Sequence, residues 1–239
     1  MSTIASGEKA VALSARSLVY SYDSAPALKG VTMQVGRGEI LSITGASGSG
    51  KSTLLLCLAG VLPPDAGEVR LGERVISAES ESDRSRLRRS QIGVVFQFGQ
   101  LVPEMTALEN VALPLLLGGS RRSAAEAAAR TWLERFEVGG LADARPTDMS
   151  GGQAQRVAIA RAMVTEPEIV FADEPTGALD SLSGELVMTQ LVRVARDAGT
   201  TVVLVTHDAR VSAYGDREIT LRDGELDAQP ADLIDMSAS

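Results

Sequence analysis

Residues 45–53 read Gly-Ala-Ser-Gly-Ser-Gly-Lys-Ser-Thr, and this stretch decides the fold. Glycines at this spacing let the backbone curl so that successive N–H groups converge on phosphate oxygens. Lys51 is placed to neutralise the β and γ phosphates, and the Ser52 hydroxyl is placed to bind Mg²⁺. The stretch therefore predicts a loop that binds a nucleoside triphosphate, formed by Gly45, Ala46, Ser47, Gly48, Ser49, Gly50, Lys51, Ser52 and Thr53.

The flanking residues supply the context that this pattern needs. Residues 31–35 alternate apolar with polar, as a half-buried strand does, and residues 36–38 turn the chain into the apolar run 40–43. A helix is predicted from about Lys51, and it ends near Gly60 because Pro63 and Pro64 follow. The order is strand, loop, helix, and the helix dipole favours an anion at the loop.

Polar groups follow two further predicted strands. Residues 169–172 and 202–205 are short, apolar and β-branched, which is typical of a parallel sheet covered on both faces. Asp173 and Glu174 follow the first run, at the edge of the sheet where α/β ligands gather. Asp173 suits Mg²⁺, and Glu174 is the candidate to activate or orient an attacking water. By itself such a pair is more often a solvated strand end.

His207, the single histidine, follows the second run. A lone histidine is more often structural than functional. Like Asp173, however, it follows a predicted strand. This position favours a second interpretation, in which His207 senses the γ-phosphate and holds Glu174 and the attacking water in place.

The middle of the chain has a different texture. Residues 121–138 are rich in alanine and charge, and Ala129, Trp132, Leu133 and Phe136 fall on one helical face. Ser123 and Glu126 predict a capping box for this helix. We therefore predict a helical insertion from about Phe98 to Val164 in a sheet-containing core.

Two shorter segments complete the local predictions. Asp223-Gly224 lies between two apolar runs and predicts a hairpin turn, after which residues 227–239 form a polar tail. Residues 84–89 are basic but follow acidic positions 79, 81 and 83, so they favour a solvated mixed-charge loop.

Composition limits the compartment and the partners. The 239 residues, 44% hydrophobic, suffice for one domain with a substantial core. Residues 1–16 lack the pattern of a signal peptide, no apolar run is long enough to span a bilayer, and Cys57 is the single cysteine. We expect a reducing cytoplasm. A net charge of −8 with 3% aromatic residues argues against nucleic acid as a partner.

Residues 149–156 read Met-Ser-Gly-Gly-Gln-Ala-Gln-Arg and resemble the signature sequence of the ABC transporter family. Ser150 and Gln153 predict a capping box, and Gly151 and Gly152 leave backbone N–H groups open at a helix start, where anions bind. The same residues can simply cap the helix. Met149 stands where leucine is usual and Ala154 where glutamine is common, and neither departure touches the serine, the glycines or the acidic pair.

The resemblance implies further roles, with the motifs in the family's order from about Val11 to Leu226. Tyr22 resembles the aromatic residue that stacks on adenine, although Tyr20 is an alternative on the same strand face. Gln97 resembles the Q-loop glutamine, Asp180 the D-loop aspartate and His207 the switch histidine. The family also implies a homodimer in which Ser150, Gly151, Gly152 and Gln153 of one copy close on the ATP of the other, beneath a separate integral membrane subunit.

Residues 93–97, 108–115 and 175–177 resemble the lipoprotein-release and macrolide-export branch, which includes members that transmit force instead of transporting. This implies an exporter or mechanotransmission ATPase at the cytoplasmic face of the membrane. One alternative is a soluble ABC ATPase of DNA repair or translation, but those have paired nucleotide domains or basic linkers. A second alternative is a scaffold that binds ATP without hydrolysing it. The presence of Glu174, Gln97 and His207 argues against that alternative.

The prediction for the whole chain is an α/β fold of the P-loop NTPase type, with a parallel-sheet core, an N-terminal antiparallel β subdomain and an inserted α-helical subdomain. The ATPase domain covers residues 11–226. Catalysis is assigned to Glu174, His207 and Gln97, and Mg²⁺ binding to Ser52, Gln97 and Asp173. ATP is bound by the loop 45–53 together with Tyr22, Ser150, Gly151, Gly152, Gln153 and Asp180.

Overall fold

The computed structural model describes residues 10–23 and 25–227. In chain order the strands are β1 (Val11–Tyr22), β2 (Ala25–Gly36), β3 (Ile40–Thr44), β4 (Ala66–Leu71), β5 (Arg74–Val75), β6 (Ile92–Val95), β7 (Ile169–Asp173), β8 (Thr201–Val205), β9 (Arg217–Arg222) and β10 (Glu225–Leu226). The helices are α1 (Lys51–Leu58), α2 (Glu81–Gln91), α3 (Ala107–Leu117), α4 (Arg122–Arg135), α5 (Gly151–Met163), α6 (Ser181–Ala198) and α7 (Ala209–Ser212).

The central sheet has the strand order β10-β9-β3-β8-β7-β6. From β9 to β6 all neighbours are parallel, with Ile43 opposite Val205 and Ala172 opposite Leu204. The strands β3, β7 and β8 are buried almost throughout, which explains why they read as unbroken apolar runs. The predicted parallel-sheet core is confirmed.

A second, antiparallel sheet has the order β2-β1-β4-β5. Its inner face packs with helix α1 and the central sheet in one hydrophobic cluster that includes Leu18, Val35, Leu54 and Phe171. The predicted antiparallel portion near the start of the chain is therefore confirmed, and it holds α1 from the side opposite the central sheet.

The predicted hairpin at residues 223–224 is also confirmed. Asp223 and Gly224 have φ values of 50° and 84°, the left-handed conformations of a tight turn between β9 and β10. The Gly224 amide donates to Ser49 O at 3.0 Å, so this turn supports the glycine-rich loop. The predicted polar tail lies, from residue 228 onward, outside the described residues.

Helices α3, α4 and α5 lie between β6 and β7 and share a second core, which includes Trp132, Phe136 and Val157. The predicted capping box of Ser123 and Glu126 is wrong. Helix α4 begins earlier, with Arg121 at its N-cap, so Ser123 already lies within the first turn and its hydroxyl has no N-cap position. A capping box that sequence analysis missed, Thr106 with Glu109, starts α3.

The predicted mixed-charge loop at residues 84–89 is also wrong, because it lies inside helix α2. Ser80 caps this helix by accepting from the Asp83 amide, and Glu81 pairs with Arg84 and Arg88 at 2.8 and 2.6 Å. Few of its residues are buried, so the helix lacks the apolar periodicity by which a sequence reveals one. Among residues 10–23 and 25–227, no helix has the length and hydropathy needed to cross a bilayer.

Candidate functional site

The parallel sheet gathers the candidate residues at one edge. Since β3, β8, β7 and β6 are neighbours and run in the same direction, the segments that follow them emerge side by side. In that spatial order these are the loop 45–50, His207, the pair Asp173 and Glu174, and Gln97. Residues up to 162 positions apart in the chain, such as Gly45 and His207, therefore border one site.

The glycine-rich loop is shaped to face an anion. Gly50 has φ 101°, and a Cβ there would lie 2.5 Å from Ala27 O, so only glycine fits at this position. Gly50 is also the N-cap of α1, and no side chain caps this helix. The first amides of α1 therefore remain available at the positive end of the helix dipole.

Lys51 is held against the loop that it follows. Its Nζ donates to Gly45 O and Ala46 O, both at 2.8 Å, and the residue is 8% exposed. The ammonium is thus oriented across the loop by two carbonyl groups. The loop also buries the Ser49 hydroxyl, which has no hydrogen-bond partner among the described residues.

Asp173 ends β7 with an unsatisfied oxygen. Its Oδ1 is buried and has no hydrogen-bond partner in the described part of the chain. Burial raises the pKa of Asp173 above its ordinary value and the charge of Glu174 adds to the rise, whereas the nearby Ser52 hydroxyl and Lys51 ammonium oppose it. A buried carboxylate oxygen beside a serine hydroxyl is a donor set that suits a hard cation such as Mg²⁺.

Glu174 and His207 are in direct contact. His207 Nδ1 lies 2.6 Å from Glu174 Oε1, and the Thr206 hydroxyl donates to Glu174 Oε2 at 3.3 Å. Glu174 has φ 47°, a left-handed conformation that costs a non-glycine residue roughly 1–3 kcal/mol and occurs most often at functional sites. Both carboxylate oxygens are therefore fixed by residues of the neighbouring strand end. Sequence analysis missed Thr206, although its position directly before His207 was a usable signal.

Gln97 lies against the segment that joins β7 to α6. A Cβ at Gly177 would meet Gln97 Nε2 at 2.7 Å, so the side chain crosses the backbone there. Asp180 closes this segment as the N-cap of α6, where it accepts from the Ser183 amide at 3.0 Å. The predicted Q-loop and D-loop residues are thus neighbours of one short segment.

The predicted capping box at the start of α5 is confirmed. Ser150 Oγ accepts from the Gln153 amide at 3.3 Å, and Gln153 Oε1 accepts from the Ser150 amide at 2.8 Å. Cβ atoms at Gly151 and Gly152 would lie 3.1 Å from Leu179 Cδ2 and 3.2 Å from Ser183 Cβ. The signature therefore borders the start of α6, and its own first amides have no acceptor within the helix.

Tyr22 is the more accessible of the two aromatic candidates, at 49% exposure, whereas Tyr20 is half-buried. The Thr53 hydroxyl donates to the Tyr22 hydroxyl at 3.4 Å, and the two tyrosine rings make an edge contact with centroids 5.0 Å apart. A register irregularity of the β1–β2 pairing falls between Tyr20 and Ser21. Tyr22 thus lies beside the helix that follows the loop.

The family model described as "ABC transporter" matches residues 28–177, which include the loop, the signature and the acidic pair. The chain belongs to the ABC transporter family. Similar curated relatives include the lipoprotein-releasing system ATP-binding protein LolD 2 of Caulobacter vibrioides, 45% identical over 85% of this chain and 90% of that protein. LolD of Porphyromonas gingivalis is 41% identical over 90% of this chain and 98% of that protein.

Solved structures agree with this membership. The ATP-binding cassette MJ0796, in a dimeric post-hydrolysis state bound to ADP and Pi, is 39% identical, with a TM-score of 0.83 over 90% of this chain and 97% of that chain. The P-loop NTPase fold is therefore confirmed. This ABC chain is the ATPase subunit of a transporter, and binding and hydrolysis of ATP are its activity.

Proposed function

We propose that hydrolysis in this chain depends on the contact between Glu174 and His207. Glu174 orients the attacking water and takes its proton, while His207 holds the Glu174 carboxylate through Nδ1 and faces the γ-phosphate with its other ring nitrogen. The 2.6 Å separation of His207 Nδ1 and Glu174 Oε1 is the observation that carries this assignment. Lys51 stabilises the phosphate charge from the loop, and Tyr22 stacks on adenine.

Ser52, Asp173 and Gln97 are the proposed ligands of Mg²⁺, which when bound neutralises phosphate charge. The unsatisfied Asp173 Oδ1 supports this set, because a buried oxygen without a donor is stable only when a cation or a water satisfies it. The raised pKa of Asp173 has the same origin, since burial without a cation disfavours its charged form.

The functional unit is a head-to-tail homodimer. Ser150, Gly151, Gly152 and Gln153 of one copy, with Asp180 beside them, close on the triphosphate held by the loop of the other. The dimeric form of the solved relative MJ0796 supports this arrangement. ATP then favours the closed dimer because it contacts both copies, and cleavage of the γ-phosphate removes that preference.

The proposed partner is an integral membrane subunit of an export or mechanotransmission complex, which places this chain at the cytoplasmic face. The names of the LolD relatives support the export branch. The ATPase unit covers residues 11–226, with residues 98–164 as an inserted helical subdomain. Phe98, directly after Gln97, is 75% exposed, and a groove of about 270 Å³ lined in part by Leu113, Pro114 and Leu117 lies between α2 and α3. Both are suited to contact the membrane subunit.

The test of the hydrolytic assignment is Glu174→Gln in the full chain. We expect turnover to fall by about 10²–10⁴-fold, because a neutral amide is no longer a base, while ATP binding is retained. The variant should accumulate as an ATP-bound dimer in size-exclusion chromatography with light scattering. Glu166→Gln, at an exposed turn, is the matched control and should behave as wild type.

Unchanged hydrolysis in Glu174→Gln, or a strictly monomeric ATP-bound form, would contradict the proposal. The partner is tested by purifying the complex from detergent-solubilised membranes and measuring whether the membrane subunit changes the ATPase rate. An import permease with an external binding protein as the stimulating partner would refute the export assignment.

A further inference from the structure

Helix α5 holds the backbone on both sides of Gln97. The Gln155 amide Nε2 donates to Phe96 O at 3.1 Å. Arg161 donates to Gly99 O at 2.7 Å and to Gln100 O at 2.9 Å, through its two terminal nitrogens. Side chains of one helix thus fix residues 96, 99 and 100, and we name residues 96–100 the Gln97 loop.

The Gln97 loop is shaped for this contact. Gly99 has φ 67°, and a Cβ there would lie 3.2 Å from Ala158 Cβ and 3.3 Å from Gln155 Oε1. Gln100 also has a positive φ, 47°. Two successive left-handed residues turn the chain sharply, and their two carbonyl groups accept from the same guanidinium. The loop is therefore pressed onto α5 as well as hydrogen-bonded to it.

The Arg161 guanidinium donates to these carbonyl groups and, among the residues that the structure describes, not to a carboxylate. In residues 10–23 and 25–227, no carboxylate lies within ion-pair distance of it, and burial lowers the pKa of its guanidinium. A half-buried charge without a counter-charge is costly, so helix packing alone does not favour arginine here. The planar fork that donates to two acceptors at once is what arginine adds over lysine.

The other end of α5 is the signature. The helix runs from Gly151 to Met163, so Gln155 lies one turn from the capping box and Arg161 near the far end. Gln97 lies against Gly177. Leu179 and Ser183, a few residues further along the chain, contact Gly151 and Gly152. The α5 helix therefore connects the tip that meets the partner's nucleotide to the glutamine of its own site.

We propose that Arg161, together with Gln155, is a positioning residue that locks the Gln97 loop to α5, so that Gln97 and the signature tip move as one body. Closure of the tip on the nucleotide of the second copy then sets Gln97 in its own site. The inference rests on the proposed function, in which Gln97 is a Mg²⁺ ligand, and it deepens that function by naming what positions this ligand.

A double-mutant cycle on ATP hydrolysis tests the link, with Arg161→Lys, Gln97→Ala and both together. Lysine keeps the charge but not the fork. We expect each single variant to lower kcat by about tenfold and to raise the Mg²⁺ concentration for half-maximal rate, with the KM for ATP changed less than twofold. Because Arg161 acts through Gln97, the double variant should be no slower than Gln97→Ala.

Two variants separate positioning from folding. Arg193→Lys alters an arginine of α6 that also donates to a carbonyl, Arg135 O at the end of α4, and it should leave kcat and the Mg²⁺ midpoint unchanged. Gln155→Met removes the bond to Phe96 O with a side chain of similar volume and replaces Arg161→Lys in the cycle if that variant fails to fold. Thermal unfolding checks each protein.

The outcomes distinguish this inference from the proposal beneath it. Additive losses in kcat, or an unchanged Mg²⁺ midpoint in Arg161→Lys and Gln155→Met while Gln97→Ala is impaired, overturn the positioning role alone. If Gln97→Ala hydrolyses ATP as wild type does, the Mg²⁺ assignment of Gln97 is wrong and the inference falls with it. In either case, the assignment of Glu174 stands if Glu174→Gln accumulates as an ATP-bound dimer that does not hydrolyse ATP.

Discussion

The loop 45–50 and the signature tip at Ser150 are both glycine-rich starts of helices, yet they are equipped very differently. The loop provides no side-chain cap for α1, and Lys51, the first residue of that helix, is 8% exposed. The tip caps its own helix with Ser150 and Gln153, and residues 149–155 contain no charged side chain. The loop also lies beside Asp173, Glu174 and His207, whereas the tip borders α6.

In the proposed function, this difference makes the loop a binding site in its own right and the signature tip half of a site that a second copy completes. A helix start with open amides and a fixed ammonium binds a triphosphate alone. A capped, uncharged helix start adds only a few amides and a hydroxyl, so it contributes when another subunit delivers the nucleotide. Variants that affect ATP binding and ATP hydrolysis separately distinguish the role of the loop from that of the signature tip.

Lys51→Ala should have the largest effect. Loss of a charge-assisted contact to phosphate is worth about 3 kcal/mol, which corresponds to roughly a hundredfold weaker ATP binding. Titration with a fluorescent ATP analogue measures it, and hydrolysis should fall with it. Lys29→Ala, on the surface of β2, is the control. Wild-type affinity in Lys51→Ala would show that the loop is not the primary site.

Gly152→Asp should instead spare binding and impair hydrolysis. A carboxylate at this helix start repels the triphosphate that the second copy presents, so we expect at least a tenfold lower turnover. ATP binding to the single subunit should change less than twofold, because the loop is intact. Gly152→Ala, which places the same Cβ 3.2 Å from Ser183 Cβ without the charge, is the matched control. Equal losses of binding and turnover would remove the distinction between site and half-site.

Ser150 allows the capping role to be separated from the phosphate role. Ser150→Ala should lower the free energy of unfolding by about 1 kcal/mol, as loss of an N-cap does, with a modest loss of turnover. Ser150→Asp keeps a capping oxygen and so should retain stability, but its charge should lower turnover further. Urea unfolding and ATPase rates measure the pair. Ser80→Ala removes the cap of α2 and should lower stability alone.

The smallest expected effect concerns Cys57, on helix α1 behind the loop. Burial raises the pKa of its thiol from 9.0 to about 12, so the native thiol stays protonated where an exposed one ionises. Because the unfolded thiol ionises near pH 9 and the buried one only near pH 12, the free energy of unfolding should be unaffected by this group below pH 9 and should fall between about pH 9 and 12. Labelling by a thiol reagent at pH 8 should therefore be slow, and ATP should slow it further in wild type but not in Lys51→Ala. Rapid labelling of the native protein would contradict this burial.

Local sequence signals were reliable where the contacts themselves are local. The strand before the loop, the helix from Lys51, the turn at Asp223 and the capping box of Ser150 were all predicted and are present. The predicted capping box at Ser123 was wrong because a residue can cap a helix only where the helix begins. Helix α4 packs against α3 and α5 and begins at Arg122. Helix α2 was missed because its side chains form ion pairs and do not show the apolar periodicity that predicts a helix.

The sequence by itself determined the chemical groups of the proposed site, because the pattern at 45–53, the pair at 173–174 and the signature at 149–156 each span only a few residues. Only the tertiary structure decided which of them meet. The parallel register of β3, β8 and β7 sets His207 against Glu174, and the turn at Gly99 presses the Gln97 loop onto α5. Such contacts join residues 33 or more positions apart, and they depend on packing that no short pattern encodes.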